Sequence, residues 1–160
     1  MIVVSDTSPI CYLLLIDEIE LLPQLYDEVL IPKIIQQELS HIKSPRVVQK
    51  WIETPPDWLI IQNVAPCLDR DLEVLDSGER AAIILAEQLD ANLVLVDDAL
   101  GRKIACSRGL RVTGVLGILD EAAKRNLVDF PTAINRLEKT TFRVSAMLIE
   151  SLLNRYQNQP

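Results

Sequence analysis

The chain has 160 residues, 49% hydrophobic and 24% charged, with five Gly and nine Pro. That size and balance describe one globular domain and exclude a disordered or fibrous chain. A net charge of −7 argues against a generic polyanion binder, which usually carries a basic surface.

No apolar run nears the roughly 18 residues that span a bilayer. Ile10 to Ile16, the longest candidate near the start, is short and follows Asp6, so neither a secretory signal nor a membrane anchor is expected. Cys11, Cys67 and Cys106 are odd in number and widely spaced. They point to reduced thiols in a cytoplasmic protein, without a zinc or disulfide framework.

Ile2-Val3-Val4 is β-branched and apolar, which predicts a short buried strand running into Ser5-Asp6-Thr7-Ser8-Pro9. Ser8 as cap and Pro9 as first residue then predict a helix carrying Ile10 to Ile16. A second short helix is expected over Glu18 to Tyr26. Val29 to Ile31 reads as a strand closed by Pro32, followed by a helix over Lys33 to Ser40. Ser44-Pro45 predicts another helix through Trp51 by the same cap-then-proline logic. Pro55-Pro56 breaks the pattern, and Trp58 to Ile61 fits a strand.

Asp69 to Leu75 is acidic and reads as helical or irregular. Ala82, Ile83, Leu85, Ala86 and Leu89 give Gly78 to Leu89 one broad apolar face, which predicts a strong helix. Leu93 to Val96 is the clearest buried strand and ends at Asp97-Asp98. A helix over Leu100 to Ser107 stops at Gly109, a short strand covers Leu110 to Thr113, and Leu116 to Arg125 is helical. Pro131 opens a further helix, Ser145 caps the last one, and the tail Gln157 to Pro160 is expected to fray. Cys11 and Cys106 sit in apolar helical patterns and are expected in the core. Strands alternating with helices predict an α/β three-layer sandwich around a mostly parallel sheet.

Charge divides along the chain. Residues 1–100 hold 18 acids against 6 Lys/Arg, whereas residues 101–160 hold 5 acids against 10. Between Ala99 and Leu119 there is no acid, and Arg102, Lys103, Arg108 and Arg111 supply four cations. The stretch is either a solvated helix face or a basic rim for a phosphate backbone beside an acidic centre.

In an open parallel sheet, ligands bind beyond the carboxyl ends of the strands. Two strands end there in acids, Asp6 and Asp97-Asp98, while Glu38 and Glu79 follow on neighbouring helices. Clustered carboxylates raise one another's pKa unless a cation is present. A hard divalent ion that takes oxygen ligands and keeps several waters is the natural partner, and it serves hydrolysis of phosphate esters. Each acid also has a plain structural reading: Asp6 as a turn acceptor, Asp76 and Glu79 as a capping box, Asp97-Asp98 as helix-start acids, and Glu38 as an exposed helix residue. His41 is the only histidine, so a His-rich zinc site is excluded. No Gly-rich phosphate loop is present. Two Trp, three Tyr and two Phe give little for base stacking.

Four segments in order resemble the PIN domain family, the metal-dependent ribonuclease fold of many prokaryotic toxin–antitoxin toxins. They are Val3-Val4-Ser5-Asp6-Thr7-Ser8-Pro9, Ile31-Pro32-Lys33-Ile34-Ile35-Gln36-Gln37-Glu38-Leu39, Asp76-Ser77-Gly78-Glu79-Arg80-Ala81-Ala82-Ile83 and Val94-Leu95-Val96-Asp97-Asp98-Ala99-Leu100-Gly101-Arg102. The resemblance covers Val3 to about Asn126 and is nearest to a mostly uncharacterised branch. It implies a nuclease domain over residues 1–130, with residues 131–160 as a C-terminal helical extension of the same domain, packed on the core or on a partner.

By the same resemblance, Asp6, Glu38, Glu79 and Asp98 are the catalytic acids holding Mg²⁺ or Mn²⁺, with Asp97 as an alternative for the fourth. Ser8 is a supporting polar group, and Arg102 and Lys103 are candidate RNA contacts. Glu79 stands where many members have Asp, a longer arm that bears on metal position and choice. The implied activity is metal-dependent endoribonuclease cleavage, with RNA as substrate, a small antitoxin as partner and a homodimer as assembly. Two alternatives stand beside it: a non-cutting module that binds RNA or protein, and a small-molecule phosphohydrolase.

Overall fold

The computed structural model describes residues 1–157. Five short strands form one fully parallel sheet, β1 (Val3–Ser5), β2 (Val29–Pro32), β3 (Leu59–Gln62), β4 (Leu93–Leu95) and β5 (Val112–Thr113). Their spatial order is β3-β2-β1-β4-β5, so the chain's first strand lies at the centre. Val4 pairs with Leu30 on one side and Val94 on the other. Val3, Val4 and Ser5 are fully buried, as expected for a strand covered on both faces.

Helices α1 (Thr7–Leu15), α2 (Leu21–Tyr26), α3 (Lys33–Ser40), α4 (Arg46–Glu53), α5 (Ser77–Gln88), α6 (Ala99–Ser107), α7 (Val115–Lys124), α8 (Phe130–Glu138) and α9 (Ala146–Gln157) flank the sheet. The α/β sandwich expected from the pattern is the observed architecture. The apolar residues of α1 and α2 turn inward, and Leu15 alone among their large apolar side chains is exposed.

Three expected helix starts move, each for a local reason. Helix α1 is capped by Asp6 and not by Ser8, because Asp6 is the last extended residue (φ −80°, ψ 175°). Pro9 then falls at the third helical position, where its missing N–H had no helical partner to lose. The second helix begins at Leu21 and not at Glu18, because Asp17 and Glu18 close α1. Asp17 takes a left-handed conformation at φ 60°, and the Glu18 amide donates to Leu13 O at 2.7 Å. Helix α4 opens at Arg46, after Pro45, while the Ser44 hydroxyl donates to Glu38 O at 2.7 Å. Residues 69–75 are irregular apart from one short 3-10 turn, Arg70–Leu72.

The same left-handed closure ends α5 at Asp90, α6 at Gly109 and α7 at Asn126. Cys106 is exposed, contrary to expectation, because α6 turns Gly101 and Ala105 to the core. At the C-terminus, Asp129 caps α8 through the Thr132 amide at 3.1 Å, and Ser145 accepts from the Leu148 amide at 3.1 Å. Of the tail expected to fray, Gln157 closes α9 and residues 158–160 lie outside those described. No helix among the described residues is long and apolar enough to cross a membrane.

Candidate functional site

The parallel sheet directs every strand's carboxyl end to one edge, and the helices that follow begin there. Asp6 stands at the centre of that edge. Its amide donates to Leu95 O at 2.9 Å, extending the β1–β4 pairing by one residue. Its side chain is only 4% exposed. Asp98, beyond β4, caps α6 by accepting from the Gly101 amide at 2.8 Å.

Glu38 lies in the last turn of α3 and accepts a hydrogen bond from the Thr7 hydroxyl. Helix α5 crosses so close that a Cβ on Gly78 would lie 2.6 Å from both Glu38 carboxylate oxygens. Glycine at 78 is thus what leaves room for Glu38. Glu79 follows on the same turn, and its amide donates to Asp76 Oδ1 at 2.9 Å.

These acids act on one another. Burial raises the Asp6 carboxyl from 3.8 to about 7, and the charges of Asp76, Glu38 and Asp98 push the same way. Burial likewise raises Glu79 from 4.5 to about 8, helped by the charges of Asp76, Asp6 and Asp98. The four acids singled out by sequence therefore share one electrostatic field, with Asp76 as a fifth member. Without a cation, Asp6 is half protonated near pH 7 and Glu79 near pH 8. No three acid, Cys or His side chains among the described residues already form a metal-holding set.

Asp97 stands apart. Both its oxygens accept from the Val115 amide, at 3.0 and 3.3 Å, at the start of α7. Burial raises its pKa to about 6, against the pull of the Val115 hydrogen bond and the Arg102 charge. Its carboxylate is packed against Gly114. Asp98, and not Asp97, acts on Asp6 and Glu79.

Ser8 lies in the first turn of α1, half-buried, and its hydroxyl makes no hydrogen bond among the described residues. Arg102 and Lys103 are exposed on α6, one helical turn from Asp98. The cation-rich stretch is not uniform. Arg108 is held by Asp69 and Glu87, each at 2.7 Å, which removes it from any free basic rim.

Two residues of the site escaped the sequence reading. Asp76 was visible only as half of a capping box, which it also is. Thr7 lay inside the first quoted segment, but nothing local marks its reach to Glu38, 31 residues away.

No curated protein and no solved structure matches the chain. A family model described as PIN domain matches residues 2–158, a span that takes in all five clustered acids and both C-terminal helices. On that match, the chain belongs to the PIN domain family.

Proposed function

We propose that this chain is a Mg²⁺- or Mn²⁺-dependent endoribonuclease that hydrolyses RNA phosphodiester bonds, and that it serves as the toxin of a toxin–antitoxin pair. PIN domains are typically nucleases. The observation that carries the reading is the convergence of Asp6, Glu38, Glu79 and Asp98 on one end of the sheet, with Asp6 and Glu79 driven toward their protonated forms.

That donor set suits a hard divalent ion, because it offers only oxygen and its excess negative charge calls for a cation. Asp6 and Asp98 would hold the ion, with Glu38 and Glu79 completing the set or orienting the attacking water. When bound, the ion supplies neutralisation of charge on the phosphate and a lowered pKa for water.

The chain's own groups do the positioning. The Thr7 hydroxyl and the cradle at Gly78 fix the direction of the Glu38 carboxylate. The Gly101 amide fixes Asp98. Burial holds Asp6 with little freedom at the centre of the set. Lys103, and Arg102 where its charge is not taken up by neighbouring Asp97, would hold a phosphate beside the scissile one, with Ser8 as a neighbouring polar contact.

The deciding experiment is cleavage of labelled single-stranded RNA with Mn²⁺, Mg²⁺ or EDTA, set against the Asp6→Asn, Asp98→Asn double variant. Cleavage that needs metal and vanishes in the variant is the expected result. Unchanged cleavage in the variant removes the site. Turnover of small phosphate esters without RNA cleavage selects a phosphohydrolase, and neither cleavage nor metal binding selects a non-cutting module. The toxin reading is tested separately, by growth arrest on expression that a neighbouring gene product relieves.

A further inference from the structure

Between Glu38 and Glu53 the chain carries no acid, while His41, Lys43, Arg46 and Lys50 are all basic or titratable to a cation. The first two stand on the α3–α4 loop. With Gln37, Ser44 and Ser77 they line an open pocket of about 460 Å³ whose wall includes Glu38 itself. A cation-bearing pocket thus shares one wall residue, Glu38, with the acidic centre.

The loop is built to hold its shape. The Gln49 side-chain amide donates to Ile42 O at 3.1 Å and to Ser44 O at 2.6 Å. The Ser44 hydroxyl ties the loop to Glu38 O at 2.7 Å. The Lys43 amide donates to His41 Nδ1 at 3.1 Å. In the neutral imidazole this leaves the proton on Nε2, which is then a donor free to serve a ligand. Among the described residues neither Lys43 nor His41 pairs with a carboxylate. Ile42, between them, is 85% exposed on a loop whose neighbours are pinned, and it offers an apolar contact to the face of a base.

Position in the fold gives these groups a direction. Glu38 follows β2 and Asp98 follows β4, with β1 and Asp6 between them. The loop therefore lies on the β2 side of the acids, and Arg102 and Lys103 lie on the β4 side. A polyanionic strand crossing the sheet's edge would meet cations before and after the carboxylates.

We propose that the α3–α4 loop is a substrate-binding wall. Lys43 and the His41 Nε2–H hold a phosphate of single-stranded RNA flanking the scissile one, on the side opposite Arg102 and Lys103. The proposal rests on the nuclease reading for its substrate, but its test separates the two.

The test measures binding of a labelled single-stranded RNA to the Asp6→Asn, Asp98→Asn protein across a salt series, with and without His41→Ala plus Lys43→Ala. Lys139→Ala is the charge control, since Lys139 sits beside Leu15 and Ile16 at the far end of α1. The loop changes are expected to weaken binding about tenfold. They should also lower the slope of log affinity against log salt by about 0.7, the share of one phosphate contact. The control should do neither. In the otherwise native protein, KM should rise by the same factor with kcat unchanged. RNA cleavage with unaltered KM, affinity and salt slope in the loop variant overturns the proposal and leaves the nuclease standing. Loop-dependent RNA binding by a protein that never cleaves supports the loop and removes the nuclease.

Discussion

Asp6 places a carboxyl where it is 4% exposed, and the consequence is a pH dependence with a definite sign. Its pKa rises from 3.8 to about 7, and that of Glu79 from 4.5 to about 8. The folded chain therefore binds more protons than the unfolded chain across that interval. The stability these groups contribute is fully present below the unfolded values and is lost as pH rises through the folded ones. In EDTA, the melting temperature should fall between about pH 5 and 8, and Asp6→Asn should flatten the fall. A flat profile in the unmodified protein would contradict the burial argument. A divalent cation displaces the same protons, so Mn²⁺ affinity should increase from about pH 6 to 8. Calorimetry in buffers of different ionisation enthalpy counts the protons released.

Among the elements, three helices beginning at the sheet's edge have an acid at the cap position, Asp6, Asp76 and Asp98, and the last two accept a capping hydrogen bond. Capping and site roles coincide at Asp76 and Asp98, and substitution can separate them. Asn caps a helix about as well as Asp. Asp98→Asn should therefore leave the melting temperature unchanged while cleavage falls roughly a hundredfold or more. Asp97→Ala should do the reverse: it loses the contact to the Val115 amide, costs about 1 kcal/mol and retains cleavage. If Asp97→Ala is the inactive variant, the assignment of the fourth acid is wrong. Gly78→Ala drives a methyl into the Glu38 carboxylate. The carboxylate is the tip of a flexible chain, so the fold should yield there at little cost. Cleavage should drop roughly tenfold through a displaced Glu38, a loss visible in kcat beside a near-native melting curve.

Much of this was legible from local sequence. Val3-Val4 and Leu93 to Val96 are short apolar runs leading into acids, so strand, direction and the placing of those acids at one edge of the sheet arrived together. The second helix was misplaced because Asp17 closes α1 in a conformation usually marked by Gly. Asp90 and Asn126 close α5 and α7 in the same conformation, yet those two ends were legible at Leu89 and Arg125, where the apolar pattern stops. Asp76 stayed hidden because a cap and a fifth acid look identical in sequence. The pairing of Arg108 with Asp69 and Glu87 depends on segments that only the fold brings together.

At the scale of the molecule, the C-terminal helices complete the core. Phe130, Ala133, Ile134 and Leu137 of α8 are at most 2% exposed, and Tyr156 of α9 stacks on Phe130 at 4.6 Å. Tyr156 also gives its hydroxyl to the Asp120 carboxylate on α7. We propose on this basis that residues 131–157 belong to the same cooperative unit. Phe130→Ala should cost about 3–5 kcal/mol, read as one shifted transition in denaturant. A separate early transition, with the rest of the chain unmoved, would mark the extension as independent.

The hydrogen bond from the Asp6 amide to Leu95 O lies between the central strand and its neighbour β4, so that amide should exchange with deuterium only when the whole chain opens. It is then an isotope gauge set inside the candidate site. A cation that binds the folded chain alone should slow exchange there by the factor 1 + [cation]/Kd, which makes affinity readable in a protein that cuts nothing.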